Sequence, residues 1–354
     1  MMIDLNPIPV TQADVSALKP GIHDPIVFGK NPTSHMLQAV FSDGSWNSAA
    51  IVPFGDITLS PLALCLHYGQ TVFEGFKAYR HAAGGISIFR MERHFQRINQ
   101  SLYRMAMPEL SEELFLKGIR QLVALEKDWV PSDPDASLYI RPFVFASEPR
   151  LGVKGASEYR FMVVCMPMGK YYDQNVSVKV ETGFVRAVDG GTGAAKCGGN
   201  YAAAILPTQL ANREGYDQLI WTDAIHHEYM EESGTMNLMF VIDGKLITPA
   251  LSGNILDGVT RDSILTLAQD LGIPVEERKI SYRELIAAFE AGKEIEAFGV
   301  GTAAVISPID RIGINGKDYF PSVQDDCLFY SLKNELQDIR TGKVRDRHGW
   351  NTLV

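Results

Sequence analysis

Apolar and polar positions alternate through residues 36 to 55, where MLQAVF and AAIVPF flank Ser42-Asp43-Gly44-Ser45, so the pattern predicts a hairpin. A second hairpin is expected where GFKAYR and ISIFR bracket Ala82-Ala83-Gly84-Gly85. The period then changes. RMERHFQRINQSLYRM carries apolar residues near i, i+3, i+4 and i+7, which predicts a helix over 90 to 106. Ser111, followed by Glu112 and Glu113, reads as the N-cap of a second helix reaching about Trp129. SLYIRPFVFAS and YRFMVVCMPMG are rich in β-branched and aromatic residues and read as two long strands turned around Pro149-Arg150-Leu151-Gly152.

The short polar stretch 169–175 interrupts this pattern, which restarts at VSVKVETGFVRA. The expected organisation is therefore a smaller α+β domain over 1–168, a linker over 169–175 and a larger mixed domain over 176–354. In the second domain a glycine-rich loop precedes a helix from Tyr201, and strands are expected at QLIWTD, MNLMFVI and KLITP, with Asp243-Gly244 as a hairpin turn. ILDGVTRDSILTLAQDLG predicts a helix entered through Asp257-Gly258. Ser281 with Glu284 predicts a capping box for the next one, and a last helix is expected over 322 to 342. No internal repeat is visible.

Composition narrows the classes. At 354 residues the chain is long enough for about two domains. A hydrophobic share of 46%, a charged share of 21% and a mean hydropathy of −0.03 fit an ordinary globular protein rather than a disordered or collagen-like one. The longest near-unbroken apolar stretch, 161 to 168, is too short to span a bilayer, and the first ten residues lack the pattern of a secretory signal, so a cytoplasmic, membrane-free protein is expected. The net charge of −9 speaks against nucleic acid as a partner. Cys65, Cys165, Cys197 and Cys327 are too far apart in sequence for a CxxC pair or local zinc site, which leaves reduced thiols as the expectation.

Candidate chemistry gathers at a few places. Lys196 lies in a loop, Asp189 to Asn200, with five glycines among its last eleven positions. The loop is not a P-loop, because no Gly-Lys pair is followed by a hydroxyl, and it is not a dinucleotide fingerprint. A lysine there is either a solvated side chain or an amine activated by its surroundings. Gly299-Val300-Gly301-Thr302-Ala303-Ala304 matches GxGxxA but runs into the β-branched VISPI. Its glycines therefore belong between strands, as a tight turn or as backbone donors for a small ligand. His226-His227-Glu228 lacks the second histidine of HExxH and reads as a solvated hairpin. Arg93, Arg97 and Arg104 share one helical face, either a phosphate clamp or a wet surface. Asp257-Gly258-Val259-Thr260 opens a helix whose first amides can hold an anion, and Glu232 precedes a strand. A lysine, a carboxylate and an anion site together meet the needs of pyridoxal 5'-phosphate.

With these pieces assembled, the chain resembles the fold type IV pyridoxal-phosphate aminotransferases, and within them the branched-chain amino acid aminotransferases. The resemblance rests on HYGQTVFEGFKAYR (67 to 80), SLYIRP (137 to 142), AKCGGNY (195 to 201), EESGTMN (231 to 237), ILDGVTRDS (255 to 263) and GVGTAAVISPI (299 to 309), in family order. It implies that Lys196 forms the Schiff base and shuttles a proton, that Tyr201 bonds the phenolic oxygen of the cofactor, and that Glu232 pairs with the pyridine nitrogen. It assigns the phosphate to Arg97, the Val259 and Thr260 amides and Thr302, and places Thr235, Asn237, Leu256 and Gly258 around the cofactor. It lines the substrate pocket with Tyr68, Phe73, Tyr139, Arg141 and Tyr171, together with Thr302 and Ala303. It further implies ping-pong exchange of amino groups between leucine, isoleucine or valine and 2-oxoglutarate, in a homodimer whose active site lies between domains. D-amino acid aminotransferases and aminodeoxychorismate lyases share the same cofactor parts and remain the alternative, and a non-catalytic cofactor carrier is a rival of another class. Mammalian relatives carry a CxxC after Gly-Thr-Ala where this chain has Ala304 and Ser307, so no thiol switch is expected there.

Overall fold

The computed structural model describes residues 7–13, 29–169 and 174–354. Tyr171 and most of the expected linker lie outside the described residues. In chain order the elements are β1 (His35–Ser42), β2 (Ser45–Pro53), α1 (Leu64–Tyr68), β3 (Thr71–Phe73), β4 (Phe76–Arg80), β5 (Ile86–Phe89), α2 (Met91–Arg104), α3 (Gly118–Leu125), β6 (Ser137–Ala146), β7 (Tyr159–Met168) and β8 (Val176–Glu181). After these come α4 (Gly198–Arg213), β9 (Gln218–Thr222), β10 (Met230–Ser233), β11 (Met236–Ile242), β12 (Lys245–Thr248), α5 (Val259–Asp270), β13 (Val275–Glu277), α6 (Tyr282–Glu290), β14 (Ile295–Gly301), β15 (Val305–Ile314), β16 (Lys317–Tyr319), α7 (Leu328–Arg340) and β17 (Asn351–Leu353).

The chain divides into two compact units. The first is Met1–Tyr171 with Ala195–Gly198 and Ile339–Val354, and the second is Tyr172–Ala194 with Gly199–Asp338. A single cut near the linker does not reproduce this, because two later segments pack with the first unit. Ala195 and Cys197 are buried in its apolar core, and β17 pairs antiparallel with β5. Neither contact leaves a local trace in the sequence.

The first unit is an eight-stranded antiparallel sheet in the order β17-β5-β4-β6-β7-β1-β2, with β3 also on β6. Strand alternation puts Leu37, Ile51, Phe76, Ile88, Leu138 and Phe161 into one core, against which α2 and α3 lay Ile98, Leu102, Ile119 and Leu122. The expected second helix is a composite: a π turn over Glu113–Lys117, α3, and a 3-10 turn over Lys127–Trp129. Its predicted cap is present, since Leu114 N donates to Ser111 Oγ at 3.2 Å.

The second unit is a nine-stranded mixed sheet. Its path β10-β9-β8-β15-β14-β11 closes on itself because β10 pairs with both β9 and β11, and closure leaves those strands without a free edge. The parallel pair β8 and β9 requires a crossover, which α4 supplies. Two sequence expectations change here. Ser281 Oγ caps α6 by accepting from Arg283 N at 3.0 Å, but Glu284 pairs with Arg278 at 2.6 Å instead of reaching back to complete a box. The last helix begins at Leu328, not near 322, because the carboxylate of Glu296 on β14 accepts from Leu328 N at 2.8 Å and Phe329 N at 3.2 Å and so caps it from across the unit.

Candidate active site

In the first unit, Lys196 is held by its backbone. Its N–H donates to Ser101 Oγ on α2 at 3.0 Å, and its carbonyl accepts from Phe73 N on β3 at 3.0 Å. Val72 bridges Cys197 in the same ladder. A Cβ at Gly198 would run into Thr71 Oγ1, so a glycine here lets the segment lie flat against β3. The Lys196 amine lies 5.0 Å from the centre of the Phe73 ring. The guanidinium of Arg141 lies 4.8 Å from the same centre, and its Nη2 donates to Tyr139 Oη at 2.8 Å. Arg141 Nε is buried and has no hydrogen-bond acceptor among the described residues. Four of the sequence-selected positions, Lys196, Phe73, Tyr139 and Arg141, thus fall in this unit within one neighbourhood of β3, β6 and α2. Tyr68, at the end of α1, is largely exposed and accepts from Gly152 N at 3.0 Å.

The three spaced arginines separate by burial. Arg97 is 5% exposed on α2, whereas Arg93 is half-buried and Arg104 exposed. The Arg97 fork meets the carboxylate of Glu74 through Nε at 2.6 Å and Nη2 at 2.9 Å. Glu74, His94 and Ser101 are partners that sequence reasoning missed. The only sequence signal was a glutamate set between Phe73 and Gly75 and a histidine three positions before Arg97 on the same helix.

In the second unit, Glu232 lies on β10, paired with Trp221 on β9 and Asn237 on β11 at the closure of the sheet. Its carboxylate accepts from Leu256 N at 2.7 Å and stands 3.3 Å from Arg186 Nε. Asn237 Nδ2 donates to Leu256 O at 2.9 Å, so the same residue's backbone ties both side chains. Arg186 also donates to Asn254 O. This arginine was not singled out from the sequence, since 46 positions separate it from Glu232 and no local spacing links them. Its neighbour Glu231 is raised by burial, with the Asn254 amide and the Arg186 charge opposing.

Gly258 precedes α5 in an extended conformation and supplies no side chain to cap it. A Cβ there would strike Asn237 Oδ1, so the close approach of the helix start to β11 depends on glycine. Val259 and the buried Thr260 form the first turn of α5, the position at which backbone N–H groups of any helix lie beyond the reach of its own carbonyls. Thr302 and Ala303 are half-buried in the tight turn between β14 and β15, which ends at Val305 with φ +63, a strained value for a β-branched residue. Tyr201 is half-buried in the first turn of α4, and Thr235 is exposed in the turn between β10 and β11. The glycine loop is tied to α4 through Thr192 Oγ1 to Asn200 Oδ1 at 2.7 Å and Asn200 Nδ2 to Thr192 O at 2.8 Å.

His226-His227-Glu228 forms a loop around Asp223, whose carboxylate accepts from the backbone N–H groups of Ile225, His226, Glu228 and Tyr229, and Glu228 turns to Ser281 and Arg283. No helix among the described residues is long and apolar enough to cross a membrane.

The family model "Amino-transferase class IV" matches residues 71–312. The chain is 46% identical over 333 residues to the branched-chain-amino-acid transaminase 1 of Bacillus subtilis, covering 92% of this chain and 94% of that one. The solved branched-chain amino acid aminotransferase of Escherichia coli superposes with a TM-score of 0.75 at 28% identity, over 90% of this chain and 98% of that one. The solved branched-chain amino acid aminotransferase of T.th., complexed with N-(5'-phosphopyridoxyl)-L-glutamate, gives 0.72 at 27% identity over 89% and 98%. The chain belongs to the class IV aminotransferases, enzymes of fold type IV, and within them to the branched-chain amino acid aminotransferases.

Proposed function

We propose that this chain exchanges the amino group of leucine, isoleucine or valine with 2-oxoglutarate, using pyridoxal 5'-phosphate. The observation that carries the substrate reading lies in the first unit: the Lys196 amine and the Arg141 guanidinium both approach the Phe73 ring, and Arg141 keeps a buried Nε without an acceptor among the described residues. An apolar face beside an amine suits a branched aliphatic amino acid, and an orphaned guanidinium donor suits the distal carboxylate of glutamate. The glutamate-derived ligand of the T.th. relative is consistent with that pairing.

The donor set fits the cofactor. In the second unit Gly258 leaves the helix start bare of side chain, and the Val259 and Thr260 amides with the Thr302 hydroxyl are the proposed phosphate donors there, while in the first unit that role is proposed for the Arg97 guanidinium. Glu232 is a buried carboxylate fixed by Leu256 N and Arg186, suited to hold a proton at the pyridine nitrogen. Tyr201 is assigned to the phenolic oxygen, with Thr235, Asn237 and Leu256 placed around the ring. When bound, pyridoxal phosphate supplies the electron sink that stabilises negative charge at the amino acid Cα. Lys196 would hold the cofactor covalently, and its Nζ is the amine that would take and return the α-proton of a bound amino acid. Its fixed peptide limits the arc over which that amine moves. Tyr68 and Tyr139 are the further residues of the first unit proposed to line the substrate pocket. A homodimer and a cytoplasmic location accompany this reading.

Mixing the holoprotein with L-leucine in a single turnover tests it. Stoichiometric release of the branched 2-oxo acid with conversion of the cofactor to its amine form is expected. Conversion by D-alanine and none by L-leucine would transfer the chain to the D-amino acid relatives, and no conversion at all would make it a carrier.

A further inference from the structure

Glu74 stands between β3 and β4 with no exposed surface, and both of its oxygens are engaged. Oε1 accepts from Arg97 Nε at 2.6 Å, and Oε2 accepts from Arg97 Nη2 at 2.9 Å, from Gly75 N at 3.1 Å and from His94 Nδ1 at 2.8 Å. Its backbone is fixed too, since Glu74 N donates to Pro142 O at 2.8 Å. Burial alone would raise this carboxyl, but the Arg97 charge and the hydrogen bonds from His94 and Arg97 outweigh it and hold it well below the usual range. His94 stacks on Phe76 at 4.8 Å and is lowered to about 4, chiefly by burial, with the charges of Arg97 and Lys196 adding and Glu74 opposing. At neutral pH the histidine is uncharged and serves as an Nδ1–H donor. Within the contact of Glu74, His94 and Arg97, the charged groups are then one carboxylate and one guanidinium.

We propose that Glu74 is a positioning residue that acts as the built-in counter-ion of Arg97: it fixes the guanidinium plane when no cofactor is bound, and it restrains the affinity of the site for the cofactor's phosphate. This rests on the reading that Arg97 receives that phosphate. A buried guanidinium without a partner strongly favours any arriving anion, because the anion relieves its desolvation. A phosphate arriving at a paired guanidinium meets the neighbouring carboxylate as well, and repulsion offsets much of the attraction. The bidentate contact orients the fork beforehand, so Glu74 exchanges binding strength for geometry.

Wild type, Glu74→Gln and Arg97→Met apoproteins titrated with pyridoxal phosphate, and with pyridoxal as the phosphate-free probe, test this. Glu74→Gln should bind pyridoxal phosphate at least about tenfold more tightly than wild type while its affinity for pyridoxal stays within about twofold. Inorganic phosphate should raise the thermal midpoint of the Glu74→Gln apoprotein more than that of wild type. Unchanged or weaker binding of pyridoxal phosphate, or an equal gain for pyridoxal, overturns the proposal. A Glu74→Gln chain that folds only when phosphate or cofactor is present supports it, and one that fails to fold even with saturating cofactor overturns it, because Glu74 would then serve the fold irrespective of phosphate. Arg97→Met separates the two layers. If it keeps the preference for pyridoxal phosphate over pyridoxal, the phosphate reading at Arg97 fails and the counter-ion role with it. If that preference is lost while Glu74→Gln behaves as wild type, only the counter-ion role fails.

Discussion

The peptide N–H of Lys196 donates to Ser101 Oγ at 3.0 Å, and Ser101 lies one helical turn beyond Arg97 on the buried face of α2. One helix therefore sets both the lysine and the arginine assigned to the phosphate. Lys196→Ala should abolish turnover, because no other amine lies in the 189–200 loop. Borohydride reduction of the holoprotein followed by peptide mapping should place the reduced cofactor on Lys196, and finding it on Lys77 would refute the assignment.

Glu232→Gln should retain cofactor yet lose about 100-fold or more in turnover, since the amide cannot hold the pyridine nitrogen charged. The Leu256 N contact survives in the variant, so the local fold is expected to persist. Half-reaction rates equal to wild type would reduce Glu232 to a strand residue that closes the sheet.

Arg97→Ala should weaken cofactor retention far more than Arg93→Ala, because Arg97 is buried on α2 in a fixed geometry and Arg93 is not. Dialysis followed by absorbance reads the difference. Equal retention in the two variants would leave the phosphate to the start of α5 alone.

Arg141→Met should impair the half-reaction with glutamate at least about tenfold more than that with leucine, as the lost partner is charged in one case and absent in the other. Phe73→Ala should do the reverse, removing apolar contact worth about 1.5–3 kcal/mol. Single-turnover rates with each amino acid decide, and equal losses in the Arg141 variant would exclude it as the carboxylate partner.

His94 gives the first unit an acid sensitivity with a defined window. Its folded value of about 4 lies below the ordinary histidine value of 6.5, so from pH 6.5 downward the unfolded chain binds a proton that the folded chain refuses. Stability is therefore lost between about 6.5 and 4, by up to about 3 kcal/mol. His94→Gln keeps a donor for Glu74 but removes the titration. The urea midpoint of this variant should fall less between pH 7 and pH 5 than that of wild type, and an equal fall would assign the acid loss to other groups.

The hairpins, the long strands β6 and β7, and the helix α2 were legible because each rests on a local period: alternation for Leu37 and Ile51, a 3.6-residue repeat for Ile98 and Leu102. Lys196 stood out because five glycines surround one lysine. What escaped was pairing at a distance. Arg186 meets Glu232 across 46 positions and Glu74 meets Arg97 across 23, and no periodicity encodes either contact. The Ser281 and Glu284 spacing matched a capping box, yet Arg278 offers Glu284 a full charge, and the charged partner prevails over a backbone N–H. Glu296 displaced the start of α7 in the same way, by supplying from another element a cap that the local sequence lacks.

The chain re-enters the first unit at Ala195–Gly198 and again at Ile339–Val354. As a result no single break point yields two self-contained pieces: a gene fragment ending at residue 171 would lack the segment that carries Lys196, the lysine proposed to hold the cofactor, as well as the β17 edge, and its complement would carry that lysine without the β3 and α2 partners that hold its backbone. Each unit is compact in space, yet along the gene the two alternate, so one cut in the reading frame cannot separate them.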